Sequence, residues 1–345
     1  MNEWLIYRGS GEPHDGISDL PAPPPWRQFD GGPTVNAADP VDTTSTRRLG
    51  SYLAQLHRPD SDEVELINAA LYLRRPLLVT GEPGSGKSTL AHAVAHELKL
   101  GKVLHWPIVS RTTLHDGLYE YDAIGRLQDL QLSRDGAEGD EPDGAGAAGA
   151  RSAPDIGRYI RLGPLGTALL PTERPRVLLV DELDKSDIDL PNDLLNALEE
   201  GEFSIPELER QAERVPEATV LTHDGHRVVI RGGRVRCRAF PFVIFTSNGE
   251  RDFPAPLLRR CLHLQLQRPD EVRLGAMVQA HFGEGSAERH TELIRQFLDR
   301  APGDVRAADQ LLNAIYLTMH AAPEEFGSRE RLAERLMRPL DSGQR

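Results

Sequence analysis

The run RPLLVTGEPGSGKSTL at residues 75–90 constrains what this chain can fold into more than any other stretch. Leu77, Leu78 and Val79 read as a buried strand, and the AHAVAHEL that follows the run reads as an amphipathic helix. Between them Gly81, Glu82, Pro83, Gly84, Ser85 and Gly86 form a tight loop that passes Lys87, Ser88 and Thr89 into the helix. Glycine at 81, 84 and 86 admits backbone conformations that a Cβ forbids, so successive N–H groups can converge on one point. The helix N-terminus adds its partial positive charge at the same point. Strand, G-x-x-x-x-G-K-[ST] loop and helix in that order make a cradle for phosphate groups. Residues 81 to 89 are thus the candidate nucleotide-binding set. Lys87 is placed to reach the β- and γ-phosphates, which also makes it a catalytic candidate, and the Ser88 hydroxyl is placed to ligate Mg²⁺.

A phosphate cradle implies binding; hydrolysis needs a second element. RVLLVDELDKSD at 176–187 supplies one, because four apolar residues, Val177 to Val180, predict a buried parallel strand that ends in Asp181 and Glu182. Carboxylates at the carboxyl end of such a strand face the crevice where doubly wound sheets bind ligands. Asp181 would hold Mg²⁺ through water, and Glu182 would orient and polarise the attacking water. FPFVIFTSN at 240–248 predicts another buried strand with the polar tip Thr246, Ser247 and Asn248, whose amide at 248 is placed to position that water opposite Glu182. In APLLRRCLHLQLQ, Arg259 and Arg260 precede a last alternating strand. Two arginines are not buried unpaired, so they sit at a surface or meet charge, and one presented to a neighbour's γ-phosphate would stabilise transition-state charge.

With 345 residues the chain can hold more than one domain, and its net charge of −13 argues against a general polyanion binder. Two cysteines without metal-ligand spacing point to a reduced, cytoplasmic setting. No apolar run approaches the ~20 residues that cross a bilayer, and the N-terminus lacks a signal-like segment.

Along the chain, residues 1–47 read as a Pro/Gly-rich leader, extended or disordered and too poor in apolar periodicity for a core, with Trp4, Tyr7, Trp26 and Phe29 spaced as if they dock on the chain's own body, on a neighbour or on a polyproline-binding partner. Residues 48–268 read as the nucleotide-binding core. It carries a low-complexity insert at 134–155 and, at 216–239, a three-stranded meander whose turns are Asp224-Gly225 and Gly232-Gly233. Arg234, Arg236 and Arg238 alternate along that meander and share a face, which suits nucleic acid, an acidic protein partner or a solvated sheet edge. Residues 269–345 read as a helical domain and tail with helices near 270–282, 287–300, 305–321 and 328–340. Arg306, in the first turn of the third, could swing against the nucleotide.

Taken together, GEPGSGKST, LLVDELDK, FTSN, LLRRC and the C-terminal helices resemble the AAA+ ATPases, and within them the MoxR-like branch, over about residues 48–340. The branch rests on the GPLGTALL element and on the hairpin insertion. The resemblance implies an α/β P-loop NTPase fold, a five-stranded parallel sheet with a C-terminal all-helical lid and a β-hairpin insertion. It further implies ATP and Mg²⁺ as cofactors, ATP hydrolysis at the interfaces of an oligomeric, usually hexameric, ring, and chaperone-like remodelling of a protein substrate, often with a von Willebrand A-type partner. By the same resemblance Asn248 is the sensor 1 residue, Arg260 the arginine finger with Arg259 in reserve, and Arg306 the sensor 2 residue. Two alternatives from other classes stand beside it, an ATP-controlled binding switch with slow hydrolysis and a nucleic-acid-stimulated motor.

Overall fold

The computed structural model describes residues 4–35, 49, 60–135, 155–299, 306–320 and 336–337. In chain order its strands are β1 Leu77–Thr80, β2 Leu104–Pro107, β3 Tyr119–Tyr121, β4 Ile160–Leu162, β5 Val177–Asp181, β6 Glu202–Ser204, β7 Glu217–Leu221, β8 Arg227–Arg231, β9 Arg234–Arg236, β10 Phe242–Ser247 and β11 Leu262–Gln265. Its helices include α1 Ser61–Leu73, α2 Lys87–Glu97, α3 Ala123–Asp135, α4 Leu190–Glu200, α5 Ala255–Arg260, α6 Glu271–Phe282, α7 Ser286–Arg289, α8 Thr291–Leu298 and α9 Ala308–His320. None of the described helices is long and apolar enough to cross a membrane.

Five parallel strands form the central sheet in the order β11-β1-β10-β5-β2. Their side chains alternate between two apolar layers, as the period of a strand requires. Leu77, Val79, Val177, Leu179, Phe242 and Ile244 face one layer with α1 and α2, whereas Leu78, Leu178, Val180, Val243 and Phe245 face the other with the leucines of α4. The in-register pairing of Leu77 with Ile244 and of Phe242 with Val177 brings the carboxyl ends of β1, β10 and β5 together. That common edge is where the candidate site lies.

The meander is larger than the sequence suggests. It belongs to a six-stranded sheet, β3-β4-β7-β8-β9-β6, in which β4 joins β7 parallel and β6 covers β9. The arginine-bearing β9 is therefore an interior strand, not an edge. Its arginines are engaged: Arg234 pairs with Glu209, and Arg236 with Asp30 and Glu202.

A buried ion pair pins this sheet to the core. Arg176, just before β5, donates to Asp224 Oδ2 at 2.6 Å with both side chains almost fully buried, and Thr222 Oγ1 donates to the other carboxylate oxygen. Burial pushes the Asp224 carboxyl upward, but Arg176 and Thr222 outweigh it and hold it below the usual carboxylate range. Its contribution to stability is thus complete above an unfolded-state value of about 4 and disappears as the pH falls through the lower folded value. Asp224→Ala strands a buried guanidinium and is expected to cost about 3 kcal/mol and to flatten that acid limb, as thermal unfolding across pH would show. A loss under ~1 kcal/mol would mean that water reaches Arg176.

The leader docks on the chain's own body, one of the three options its aromatics offer, and places a few apolar side chains in the core. Ile6, Tyr7 and Ile17 are buried among the residues of α1 and α2. Two buried side chains satisfy its backbone: Asn68 accepts from the N–H groups of Ile6 and Tyr7 and donates to Tyr7 O, and Glu97 accepts from those of Arg8, Gly9 and Gly11. Trp4 packs edge-on against Tyr72, Phe29 stacks on Phe240, and Trp26 stays exposed. Residues 36–47 and most of the 134–155 insert lie outside the described residues.

A third apolar cluster, with Leu274, Val278, Ile294, Phe297, Leu311 and Ile315, holds the C-terminal helices together. The helix expected at 287–300 is two, α7 and α8, broken at His290. The one expected at 328–340 lies almost wholly outside the described residues.

Candidate functional site

The cradle forms as the sequence requires. Gly84 and Gly86 adopt left-handed backbone, at φ 75° and 92°, and Gly86 caps the start of α2. A Cβ at Gly84 would stand 2.6 Å from Ala307 Cα, so the loop and the start of the C-terminal bundle touch only because the position is glycine. Lys87 Nζ donates to Gly81 O and Glu82 O at 2.8 Å. Burial lowers the Lys87 ammonium from its ordinary range, and Asp184, Asp181 and Glu182 pull the other way.

At the end of β5, Asp181 meets Ser88: Ser88 Oγ donates to Asp181 Oδ1 at 2.7 Å. Thr246 Oγ1 donates to the same oxygen at 2.6 Å, and His105 Nε2 lies 3.1 Å from Oδ2. Burial opposes ionisation of Asp181, but the hydrogen bonds from His105, Thr246 and Ser88 outweigh it and hold the carboxyl at about 2. A hydroxyl and a fully ionised carboxylate in contact are hard oxygen donors of the sort Mg²⁺ takes together with water and phosphate oxygens. The donor set therefore fits the cation that the sequence implies.

Glu182 follows in left-handed backbone, φ 61° and ψ 48°, a conformation that costs a non-glycine residue about 1–2 kcal/mol. Its N–H donates to Thr246 Oγ1 at 2.8 Å, so one threonine fixes both acidic residues. Its carboxylate is half-exposed and receives Lys185 Nζ at 2.7 Å. Asp184 is buried, and its Oδ2 accepts from the N–H groups of Asn248 and Glu250, which holds the turn after β10.

The loop from Pro83 on and the ends of β5 and β10 border one cavity of about 420 Å³. Gly84 to Thr89 form its floor, Asp181, Glu182, Thr246 and Asn248 one side, and Leu49, Met277 and Leu312, beside the His281 ring, a largely apolar wall of the kind that accepts a flat base. Arg273, from α6, completes the lining.

Five candidates fall outside this lining: Gly81 and Glu82, whose carbonyls hold Lys87, and three arginines. Arg306 precedes α9 instead of lying in its first turn, and its guanidinium donates to the carbonyls of Gln296 and Phe297 at the end of α8, where a helix terminus favours a cation. It borders a small adjoining crevice beside Glu82 and Ser85. Arg259 and Arg260 sit on the surface at the end of α5, with Arg260 Nε 3.1 Å from Glu199 Oε1. Arg75 caps that helix through the carbonyls of both arginines. Cys237 and Cys261 are free and buried, and burial pushes both thiols up to about 12.

Sequence reasoning missed Arg273, His105, Asp184 and Lys185. Asp184 and Lys185 lie inside the acidic motif and were open to a closer reading. No spacing signal points to His105 or Arg273, which the fold brings in from β2 and from the C-terminal bundle.

A phosphate cradle, a facing acidic strand end and a parallel sheet in this order define an α/β P-loop NTPase. The chain belongs to the AAA domain family, dynein-related subfamily, whose family model matches residues 76–261, just over half of the chain. It is in that sense an AAA+ ATPase. No curated protein matches it.

Proposed function

We propose that the chain is an Mg²⁺-dependent ATP hydrolase of the MoxR-like type that works as a homo-oligomeric ring, hexameric by resemblance, and remodels a protein partner in a reducing, cytoplasmic compartment. The observation that carries the enzymatic part is the Ser88–Asp181 contact at 2.7 Å with Glu182 next in the chain and bordering the same cavity. In this reading the amides of residues 84 to 89 and Lys87 bind the phosphates, Ser88 and Asp181 hold Mg²⁺, Glu182 activates water and Asn248 orients it. The hairpin insertion and the GPLGTALL element, whose Pro164–Ala168 forms one buried helical turn, support the branch.

Purified protein is expected to release phosphate from ATP in an Mg²⁺-dependent way and to do so more steeply than in proportion to its concentration, as assembly at shared sites requires. Nucleotide binding with no turnover at any concentration, with or without a partner, would overturn the reading. A second reading, a binding switch with slow hydrolysis, has the Glu182–Lys185 pair in its favour, because a carboxylate held by an ammonium is a weaker base. The third reading, a nucleic-acid-stimulated motor, has no comparable observation in its favour, since Arg234 and Arg236 pair with surface carboxylates.

A further inference from the structure

Arg273 occupies a position that neither the motif set nor the family match assigns. It comes from the first turn of α6, whose N-cap Asp270 accepts from Arg273 N, and it reaches across to the core. One end of its guanidinium, Nη1, lies 3.2 Å from Glu63 Oε1 on α1. The other, Nη2, lies 4.0 Å from where a Cβ on Gly86 would stand, over the first amides of the cradle. The Arg273 side chain is 24% exposed and that of Glu63 only 4%. The carboxylate is thus fixed in the protein while the guanidinium borders both the 420 Å³ cavity and a second, of about 710 Å³, that the leader's Gly9 and Ser10 help to line.

A buried carboxylate such as Glu63 needs a cationic or hydrogen-bonding partner, and the phosphates of a nucleotide seated on the Gly86–Thr89 amides would want the same guanidinium. We infer that Arg273 is a nucleotide-phosphate contact supplied by the C-terminal bundle, and that Glu63 competes with the nucleotide for it. Arg273 would then shift from α1 toward the phosphates when the cavity fills and carry α6 with it, which ties the bundle's orientation to occupancy. The leader's Gly9 and Ser10 line the larger cavity together with Arg273, and the leader's Tyr7 is buried on α1, the helix that carries Glu63. The leader is therefore packed against the exchange. This inference rests on the reading that the cavity holds a nucleoside triphosphate.

The test is a binding titration of full-length protein with a fluorescent ATP analogue. Arg273→Ala is expected to weaken binding about tenfold, a typical coupling for a charge-assisted contact. Glu63→Gln keeps the shape and removes the competing charge, so it should tighten binding about fivefold. The double variant should match Arg273→Ala alone. Tightening is the informative sign, because general damage to the fold loosens binding. Should the glutamine variant fail to fold, Glu63→Asp, which withdraws the carboxylate by one methylene, carries the same expectation. Wild-type protein that binds no analogue overturns the nucleotide reading itself. Wild-type protein that binds it, with Glu63→Gln no tighter or with tightening that survives Arg273→Ala, overturns the exchange alone.

Discussion

Glu182→Gln is expected to keep ATP bound and to lose turnover by about a thousandfold, the scale of a general base removed from a positioned water. The change is nearly isosteric and leaves intact what shapes the cavity around it. The left-handed backbone at 182 is held by the N–H bond to Thr246 Oγ1, and Asp181 keeps its contacts with Ser88 and Thr246, none of which involves the Glu182 side chain. What disappears is the basic oxygen and its pairing with Lys185. Retained affinity with lost turnover, read by equilibrium binding beside single-turnover hydrolysis, separates a role in the chemical step from one in binding. Unchanged turnover would move the base elsewhere in the cavity. A turnover that rises in Lys185→Met protein, read in the same assay, would show that the ion pair restrains Glu182, as the switch reading holds.

How much of this was legible follows from the range over which each feature is determined. The cradle, the acidic strand end and the buried strands were readable because each is written within about ten residues: apolar run, turn chemistry, helix start. The Asp224-Gly225 turn was readable for the same reason. That Asp224 also neutralises Arg176, 48 residues earlier, was not, because a buried ion pair leaves no local pattern. The six-stranded sheet escaped for a related cause. β3, β4 and β6 are three residues long, too short to show a period of two, and they are recruited by pairing across distant parts of the chain. The leader's aromatics hinted at docking, but how it is held did not show, because the docking uses few apolar side chains; Asn68 and Glu97 satisfy its backbone from helices that read as ordinary amphipathic ones.

The two lid-side arginines show the limit most plainly. A motif order places Arg306 near the nucleotide, yet the helix behind it starts at Ala308, and the carbonyls at the end of α8 offer its guanidinium a nearer partner. Arg273, in a stretch that reads only as a charged helix start, is the one that lines the cavity. Which of two basic side chains reaches a ligand depends on how one packed unit sits on another, and that is set by apolar contacts and by Gly84 admitting Ala307, not by the spacing of charges.

Arg260→Ala is expected to cut turnover a thousandfold or more at saturating ATP while leaving affinity nearly unchanged, if Arg260 supplies the cation to the next subunit's γ-phosphate. In the single chain its guanidinium is held by Glu199, which Arg27 of the leader also binds at 3.1 Å, so Glu199 keeps a partner when Arg260 leaves for a neighbour. That makes release inexpensive, since the pair is half-exposed and pairs of that sort contribute under ~1 kcal/mol. Arg259 makes no ion pair among the described residues and is the competing assignment. If it is the finger, Arg259→Ala shows the thousandfold loss, and Arg260→Ala loses only its surface pair. The two assignments differ by about three orders of magnitude in one assay. Mixing then tests the subunit boundary: Arg260→Ala protein retains an intact Glu182, and Glu182→Gln protein retains an intact arginine. A mixed ring contains sites complete in both, so recovered hydrolysis places the arginine across an interface. Failure of the Arg260→Ala mixture to recover, with the corresponding Arg259→Ala mixture recovering, transfers the role to Arg259; recovery in neither places the arginine's action within its own subunit.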